Sequence, residues 1–299
     1  MAEIIPPPEY GNRYLYWTGL LFMILNKFRH AVMGYRTPRT FSSADIGRNA
    51  DYVIKVVNDH ERKIQEYAGE DNPFWGKNVL EIGPGPDLGT GLCILAKGAK
   101  SYTALDKNKL ITQTDDNFYE VLFNKIKDYP AYPSCLAAYN KFKNGKQNAG
   151  IKYIHDKDFV LKGIPEKIDL LLSQAVLEHI DDIAGAFNKI RTELSEGACL
   201  SNLVDASSHT RYIRDIDPCN ILRYSDFLYR LFKFNGTPNR LRAAQYEEMF
   251  TNLGFKNIKI IPGMILSSEY VDRVKPHLPG RFQSDKSIDI ISFYILAES

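Results

Sequence analysis

The stretch 78–89 constrains the fold of this chain more than any other. It is an apolar run that ends in an acid and an aliphatic residue, followed directly by a glycine-rich turn. Residues 90–97 continue with the apolar spacing of a helix. A strand, a glycine-rich turn and a helix open a nucleotide-binding βα unit, because glycine permits a tight turn and a close approach of ligand to backbone. The residues that we expect to meet a ligand here are Glu81, Gly83, Pro84, Gly85 and Gly89.

The turn differs from the dinucleotide-binding fingerprint in two respects. The third glycine of that fingerprint belongs three residues after the second, where this chain has Leu88, and Gly89 comes one residue later. A carboxylate such as Glu81 at the mouth of the site would also repel a pyrophosphate. A nucleoside ligand with positive groups therefore fits better, and an NAD-binding dehydrogenase is the alternative. Asp106 ends the second predicted strand, 101–105, and can accept hydrogen bonds from both ribose hydroxyls.

These residues resemble motif I of the class I S-adenosylmethionine-dependent methyltransferases. Their cofactor carries a positive sulfonium and a positive ammonium group and no phosphate. The resemblance implies a cofactor that lies over the glycine turn, with its ribose on Asp106 and its methionine end near Glu81 and Gln174. It also implies that an acid in the loop after the third strand, Asp156 or Asp158, contacts the adenine. Ser173, beside Gln174, is a further expected cofactor contact.

Apolar runs alternate with helical patterns along most of the chain, which predicts an α/β fold with a doubly wound, Rossmann-like and mostly parallel sheet. We expect the last two strands to form an antiparallel pair, as the class I methyltransferases do. Residues 130–150 read as irregular and polar, and residues 195–197 as a turn. Ligands of such sheets bind at the carboxyl ends of the strands. The later predicted strands are 151–154, 168–173, 198–204, 256–261 and 287–296.

The expected organisation is an N-terminal helical segment, 1–70, ahead of a methyltransferase domain, 71–299, with a substrate-side helical insertion, 206–250. The chain has 299 residues, of which 44% are hydrophobic and 25% are charged, as in ordinary globular proteins. Its formal net charge of +2 is too small to favour a nucleic-acid partner. The four cysteines have no metal or disulfide spacing, and no secretory signal is visible, so we predict a cytoplasmic protein.

One apolar stretch, 14–25, has two interpretations. It is shorter than the roughly 20 residues that span a bilayer. It could be a helix that packs on the core, or an interfacial helix that lies on the inner face of a membrane. The second interpretation would make the protein peripheral to that membrane and would favour a lipid or quinone acceptor.

Two histidines follow predicted strands and could remove a proton from the methyl acceptor. His179 comes after the fourth strand and His209 after the fifth. Histidine is the commonest general base because its pKa lies near neutrality. We therefore predict that His179 or His209 is the base, with Glu178 and Asp205 as the neighbouring acids.

The same four residues could instead hold a divalent metal ion that lowers the pKa of a hydroxyl. The small-RNA 2′-O-methyltransferases have a similar set of ligands, with a further glutamate three residues before the Glu-His pair. This chain has Ala175 at that position, so the likeness is incomplete. Hydrogen bonding without a metal is the favoured interpretation, because most neighbouring carboxylates and imidazoles are paired in that way.

The region 204–255 resembles a bacterial branch of methyltransferases associated with surface-polysaccharide biosynthesis. The likeness lies in Asp-x-x-x-His at 205–209, Leu-Arg-Tyr-Ser-Asp at 222–226 and Asn-Arg-Leu-Arg at 239–242. It implies O-methylation of a saccharide or of a phosphate-linked glycan precursor. Guanidinium groups bind such anions well, although local ion pairs are an equally simple use for them. The candidate substrate-binding residues are Arg36, Arg223, Arg240 and Arg242.

The sequence therefore predicts an S-adenosylmethionine-dependent O-methyltransferase that acts on a small-molecule or glycan hydroxyl. The alternatives are a methyltransferase of a lipid or quinone acceptor, a nucleoside-binding dehydrogenase and a non-catalytic nucleoside-binding module on the same fold.

Overall fold

One mixed sheet forms the centre of the molecule. The computed structural model describes residues 2–4, 12–33, 45–111, 114–146 and 149–299. Within these ranges the sheet has eight strands. Their bounds are β1 Ala2–Ile4, β2 Asn78–Ile82, β3 Ser101–Asp106, β4 Ile151–His155, β5 Ile168–Gln174, β6 Leu194–Asp205, β7 Lys256–Leu266 and β8 Ile290–Glu298.

The strand order is β1-β7-β8-β6-β5-β2-β3-β4. Strands β2 to β6 pair in parallel, and β8 is antiparallel to both of its neighbours, β6 and β7. The predicted α/β fold with a mostly parallel sheet and a C-terminal antiparallel pair is therefore confirmed. The short strand β1 was not predicted; it extends the sheet edge by pairing in parallel with β7.

Helices cover both faces of the sheet. These helices cover the central strands on both sides, so that β2 and β5 are buried along nearly their whole length. The helix bounds are α1 Asn12–Met33, α2 Ile46–Ala68, α3 Gly89–Ala96, α4 Asp116–Ile126, α5 Tyr132–Lys143, α6 Ile183–Arg191, α7 Arg211–Ile216, α8 Asp226–Phe232, α9 Ala243–Asn252, α10 Ser268–Val274 and α11 Gly280–Gln283.

Helix α2 packs on the same face of the sheet as α3, α4 and α5. Its buried residues Val53, Val57 and Ile64 recur at helical spacing and join the apolar cluster of that face. Gly69 ends the helix in the left-handed conformation, with a φ of 72°, and its N–H donates to the carbonyl of Gln65 at 2.9 Å. The opposite face is covered by α6 and α9.

Helix α1 belongs to a third apolar cluster, which lies beside the sheet. Its buried residues Leu20 and Met23 pack with the insertion after β6 and with α10 and α11. Gly19 permits this approach, because a Cβ there would lie 1.9 Å from Oδ1 of Asn220. The first 70 residues thus join three separate parts of the molecule: β1 the sheet edge, α2 the covered face and α1 the third cluster.

Two local predictions were wrong. Residues 132–143, within the stretch expected to be irregular, form α5, because Cys135, Ala138 and Tyr139 recur at helical spacing and are buried against the sheet face. Residues 195–197, expected to be a turn, belong to the long strand β6; the pairing with β5 shifts register between Ile168 and Leu170. No helix in the described part of the chain is long and apolar enough to cross a membrane.

Candidate active site at the carboxyl ends of the strands

The glycine turn after β2 leaves its backbone free of side chains on the ligand side. Gly83 and Gly85 have φ angles of 69° and 78°, in the region that favours glycine. The N–H of Gly83 donates to the carbonyl of Leu105 at 2.8 Å, so the turn is tied to β3. A Cβ on Gly83 would lie 2.6 Å from a methyl carbon of Val176, in the loop after β5. The turn therefore lies directly against the next loop of the site, with Pro84 partly exposed between the two glycines.

Asp106 lies beside this turn, as a ribose-binding acid should. Its Oδ1 accepts the backbone N–H of Asn108 at 2.8 Å, and the backbone of Gly85 also hydrogen-bonds to the carboxylate. Burial raises the pKa of Asp106 to about 6, although these hydrogen bonds act in the opposite direction. Gly85 and Asp106, which are 21 positions apart in the sequence (106 minus 85), thus form one wall.

Glu81 lies at the base of the same wall, inside β2. Its carboxylate is buried and accepts a hydrogen bond from the hydroxyl of Tyr102. Burial, with a contribution from the nearby carboxylates of Asp87 and Asp106, raises the pKa of Glu81 to about 8, although the hydrogen bond from Tyr102 acts in the opposite direction. A positive ligand group placed here would be stabilised by the ionised form of Glu81.

Gly89 has a packing role in this structure. It opens α3, and a Cβ there would lie about 3 Å from Asp87, Phe118 and Val53. Its N–H donates to Oδ1 of Asp87 at 2.8 Å. The close packing of α3 on α2 and α4 therefore accounts for a glycine here, and the cofactor contact expected of Gly89 stays a prediction.

Asp156 lies in the loop after β4, next to Asp106. Its backbone N–H donates to the carbonyl of Asp106 at 3.0 Å. Its Oδ1 accepts the N–H groups of Asp158 and Val160 at 2.9 and 3.2 Å, and the bond from Val160 contributes most to lowering the pKa of Asp156. The carboxylate thus shapes the loop through Oδ1.

Sequence reasoning missed His60, which holds the end of β5 in place. His60 is fully buried in α2; its Nδ1 lies 2.8 Å from the hydroxyl oxygen of Ser201 and its Nε2 lies 3.1 Å from Oε1 of Gln174. Burial lowers the pKa of His60 to about 4. The feature of the sequence that could have indicated this role is a histidine on the apolar face of α2. Ser173, also fully buried, donates to Oδ1 of Asn202 at 2.8 Å.

Glu178, His179 and His209 come together at the ends of β5 and β6. Glu178 and His179 lie on a 3-10 turn, 177–179, and the ring centroids of the two histidines are 4.8 Å apart, edge to face. Nε2 of His209 lies 3.9 Å from Oε1 of Glu178. Burial raises the pKa of Glu178 well above its usual value and lowers the pKa of His179 to about 4. The predicted catalytic histidines are therefore neighbours, with neutral rings.

The turn that carries Glu178 is held from both sides. Ala175 precedes it with a φ of 52°, a conformation that non-glycine residues adopt only under constraint. Asn239, in the insertion, donates from Nδ2 to the carbonyls of Leu177 and Ile180 at 2.9 and 3.2 Å. The sequence shows Asn239 as the first residue of the Asn-Arg-Leu-Arg motif but does not indicate this role.

Asp205 is engaged by neighbouring protein groups. Its Oδ1 accepts the hydroxyl of Ser207 at 2.6 Å, and its Oδ2 pairs with Arg214 at 2.6 Å. Its backbone N–H donates to Oε1 of Glu178 at 3.3 Å. Asp205 therefore touches the cluster through its backbone, while its carboxylate faces Arg214.

The structure corrects the expectation that three arginines of the insertion bind substrate. All three are buried, and their guanidinium groups bond to the protein itself. Arg223 pairs with Asp217 at 2.8 Å. Arg240 bonds to Asp226 and lies 3.9 Å from the ring centroid of Tyr229.

Arg242, fully buried, donates to the carbonyls of Ala206 at 2.8 Å and Ile288 at 3.2 Å, and to that of Ile290. Arg242 thus ties the insertion to β8, whereas Arg223 and Arg240 bond within the insertion. These bonds leave the three guanidinium groups little capacity for an anion. The fourth candidate, Arg36, lies outside the described residues.

The fold and this site together define a class I S-adenosylmethionine-dependent methyltransferase: a glycine turn after β2, an acid after β3, and polar groups at the ends of β5 and β6. The chain belongs to a family of methyltransferase domains, whose sequence model matches residues 51–260. No curated protein matches the chain significantly.

Several solved structures are similar to this chain in fold. A protein of Nostoc punctiforme PCC 73102 described as an O-methyltransferase is 17% identical, with a TM-score of 0.46 over 95% of this chain and 71% of its own. The CurJ carbon methyltransferase is 16% identical, with a TM-score of 0.47 over 96% of this chain and 68% of its own. Phosphoethanolamine N-methyltransferase 2 of Haemonchus contortus is 12% identical, with a TM-score of 0.47 over 88% of this chain and 59% of its own.

Proposed function

We propose that this protein transfers the methyl group of S-adenosylmethionine to a hydroxyl oxygen. The observation that carries the proposal is the pair of neutral imidazoles, His179 and His209, at the strand ends beside the glycine turn. A hydroxyl is a weak nucleophile and must lose its proton as it attacks the sulfonium methyl. A neutral imidazole can accept that proton. For this reason we favour a hydroxyl oxygen over a carbon or amine acceptor.

The cofactor, in this proposal, lies across the wall formed by Gly83, Gly85 and Asp106. Asp106 accepts hydrogen bonds from its ribose, and Asp156 contacts its adenine. Its positive methionine end lies near Glu81 and Gln174, where a buried carboxylate and an amide held by His60 offer partners. The methyl group then faces the imidazole pair.

The acceptor that we propose is a saccharide or a phosphate-linked glycan precursor. Its support is the resemblance of residues 205–209, 222–226 and 239–242 to methyltransferases of surface-polysaccharide biosynthesis. The acceptor would enter beside the insertion, whose Asn239 holds the turn of Glu178. Because Arg223, Arg240 and Arg242 are buried and paired, we do not assign the recognition of any phosphate to them.

The test is calorimetry followed by turnover. S-adenosylhomocysteine should bind to the purified protein and NAD should not. Radiolabelled S-adenosylmethionine should then label nucleotide sugars or isolated glycans, and acid hydrolysis should release the label as an O-methyl sugar. Binding of NAD alone would contradict the class of enzyme, and methylation of nitrogen or carbon would contradict the acceptor atom.

A second candidate function, methylation of a lipid-type acceptor at a membrane surface, is favoured by α1. The side of this helix that faces away from the protein is apolar along about 27 Å, at a rise of about 1.5 Å per residue. Exposed basic residues Arg13, Lys27 and Arg29 lie on the same helix, which contains no acidic residue. An amphipathic helix of this kind binds anionic membranes. The exposed apolar residues are Tyr14, Trp17, Leu21, Leu25, Phe28 and Val32.

Both interpretations of 14–25 thus have support in α1, since one side of the helix packs on the protein and the other is exposed. Flotation with phosphatidylglycerol-containing vesicles separates the two candidate acceptors. A protein that floats and labels the lipid fraction would favour the lipid acceptor, and a protein that stays in the aqueous fraction would favour the glycan.

A further inference from the structure

We infer that Glu178, His179 and His209 bind one divalent transition-metal ion. One donor atom from each of these side chains lies within 4.8 Å of the donor atoms of the other two. A tetrahedral site with bonds of about 2.1 Å has donor atoms about 3.4 Å apart, so modest side-chain rotations would close the cluster on an ion. Glu178 and His179 come from the 3-10 turn 177–179 and His209 from the loop after β6, so two segments supply the three side chains.

Two atoms of the cluster have no partner in the protein. Oε2 of Glu178 and Nδ1 of His179 are buried and make no hydrogen bond. Glu178 is only 1% exposed. A buried polar atom without a partner costs roughly 1–3 kcal/mol, so such atoms are rare unless they serve a ligand. Both of these atoms belong to the same cluster, and an ion would satisfy both.

The two rings are oriented in the way that metal-binding histidines are. Nδ1 of His209 lies 2.9 Å from the carbonyl oxygen of Ser207 and must therefore carry the proton, which leaves a lone pair on Nε2. The backbone of Gly236 hydrogen-bonds to His179, and since Nδ1 has no partner, Nε2 makes this bond. A backbone carbonyl thus holds one nitrogen of each ring and leaves the other free, a common arrangement in metal sites.

Hydrogen bonding within the cluster does not account for this geometry. The free Nε2 of His209 is 3.9 Å from Oε1 of Glu178, which is too long for a hydrogen bond. The rings of His179 and His209 meet edge to face at 4.8 Å and make no bond between their nitrogens. The cluster is held together by its surroundings, and its centre is lined with acceptor atoms.

The donor set selects the class of ion. Two imidazoles and one carboxylate suit first-row transition metals such as Zn²⁺, Mn²⁺ or Co²⁺, whereas Mg²⁺ and Ca²⁺ prefer oxygen ligands throughout. The carboxylate of Asp205 is engaged by Ser207 and Arg214, so the protein supplies three side-chain ligands. Three ligands leave coordination positions for water or for an acceptor oxygen.

This inference rests on the proposed function only in placing the acceptor at the cluster. There the ion would bind the acceptor hydroxyl and lower its pKa, so that the proton leaves to solvent. The oxygen then attacks the methyl carbon, the carbon–sulfur bond breaks, and its electron pair stays on sulfur as the neutral thioether. The histidines would in that case act as ligands rather than as proton acceptors.

The test is titration of the metal-stripped protein with Co²⁺, followed by visible absorption and calorimetry. We expect one ion per chain and a d–d absorption band of a site with nitrogen ligands. His209→Ala should weaken binding by about 100-fold or more, since loss even of a group that supports a ligand costs 10–100-fold. The side chain of His209 is 28% exposed, so this variant should fold. His277→Ala, an exposed histidine far along the chain, is the matched control and should bind as the wild type does.

Binding of S-adenosylhomocysteine, measured on the same samples, separates this inference from the proposed function. Co²⁺ binding that depends on His209 supports the metal site even if the protein has no methyl transfer. No Co²⁺ binding at millimolar concentration, or equal binding by His209→Ala, overturns the metal site and leaves the imidazole base in place. If circular dichroism shows that His209→Ala is unfolded, Glu178→Gln is titrated in its place. This substitution keeps the shape of the side chain and removes the charged ligand.

Discussion

Nε2 of His60 lies 3.1 Å from Oε1 of Gln174, and this contact joins helix α2 to the end of strand β5. The other ring nitrogen meets the hydroxyl of Ser201, which is itself in the neighbouring strand β6. The amide oxygen accepts, so Nε2 carries the proton and Nδ1 accepts from the serine. A neutral imidazole satisfies both partners, and a charged one would leave the hydroxyl without an acceptor.

His60 should make the protein less stable in acid. Its pKa is about 4 in the folded protein and near 6.5 in the unfolded chain, so between these values the unfolded chain binds the extra proton. Its contribution to stability is complete above pH 6.5 and falls by up to about 3 kcal/mol as the pH drops to 4. Denaturant unfolding of wild type and His60→Gln should show a stability difference that narrows over this range.

Acidic groups such as Glu81, whose pKa is raised, act in the opposite direction, but they are present in both proteins and cancel in the difference. His277→Gln, at an exposed position, should follow the wild-type curve at every pH. A constant gap between wild type and His60→Gln from pH 7 to pH 4 would show that His60 does not titrate in this way.

Cofactor binding should release a proton from Glu81. With a pKa of about 8, this carboxyl is mostly protonated at pH 7 in the free protein. The positive groups of S-adenosylmethionine favour the ionised form, so binding should release up to one proton and tighten as the pH rises from 6 to 8. Calorimetry in two buffers with different ionisation enthalpies measures the number of protons released.

Glu81→Gln should abolish this release and weaken binding, whereas Asp156→Asn should leave the number of protons unchanged. If Glu81→Gln released as many protons as the wild type, a group other than Glu81 would be the one that titrates.

Asp106 should dominate affinity for the ribose. Hydrogen bonds to a charged group contribute roughly 1.5–3 kcal/mol, so Asp106→Ala should weaken S-adenosylhomocysteine binding by about 10- to 100-fold. The exposed Asp158→Ala, from the adjacent loop, should change it less than about threefold. Equal affinities of wild type and Asp106→Ala in calorimetry would show that the ribose does not bind at the end of β3.

Arg242 should matter for stability rather than for the acceptor. Its fully buried guanidinium group donates to carbonyls of residues 206, 288 and 290, and Met would leave these acceptors unpaired at similar volume. Arg242→Met should lower the free energy of unfolding by about 3 kcal/mol or more. Arg230→Met, at an exposed position of α8, should change it by less than about 0.5 kcal/mol. A normal melting curve with a KM for the acceptor raised tenfold would instead restore a substrate role.

The exposed apolar residues of α1 should bind membranes. Trp17 and Phe28 are 65% and 69% exposed, and their replacement by Ser in one double variant removes the two most exposed aromatic rings from that side of the helix. We expect flotation with anionic vesicles to be lost, and wild-type binding to weaken with added salt because the basic flanks contribute. Tyr52→Ser, an exposed aromatic residue of α2, should float as the wild type does. Flotation by the double variant would exclude α1 as the contact.

Much of the fold could be predicted because its signals are local. The apolar run before Gly83, the acid at Asp106 and the alternation of strands with helices follow from neighbouring residues, and the sheet has the predicted pairing. Helix α5 was missed because Pro130, Pro133 and the lysine-rich end of the stretch mask the spacing of its buried residues, Cys135, Ala138 and Tyr139. Strand β1 was missed because three residues carry no periodicity of their own; pairing with β7 is what makes them a strand.

The roles of charged residues could be predicted less well. The sequence cannot distinguish a guanidinium group that faces a cleft from one that faces carbonyls, and Arg242 lies against groups 36 and 48 positions away. The same holds for His60, whose partners lie 114 and 141 positions further on.

The sequence by itself determined the class of fold, the glycine turn and the acid that follows the next strand, because each depends on residues within one βα unit. Only the tertiary structure decided that Glu178, His179 and His209 meet with unpaired atoms at their centre, that three arginines are occupied, and that α1 keeps an apolar side exposed. Those facts depend on which distant segments come into contact, and contact is what sets the burial, the pKa and the hydrogen bonding of each side chain.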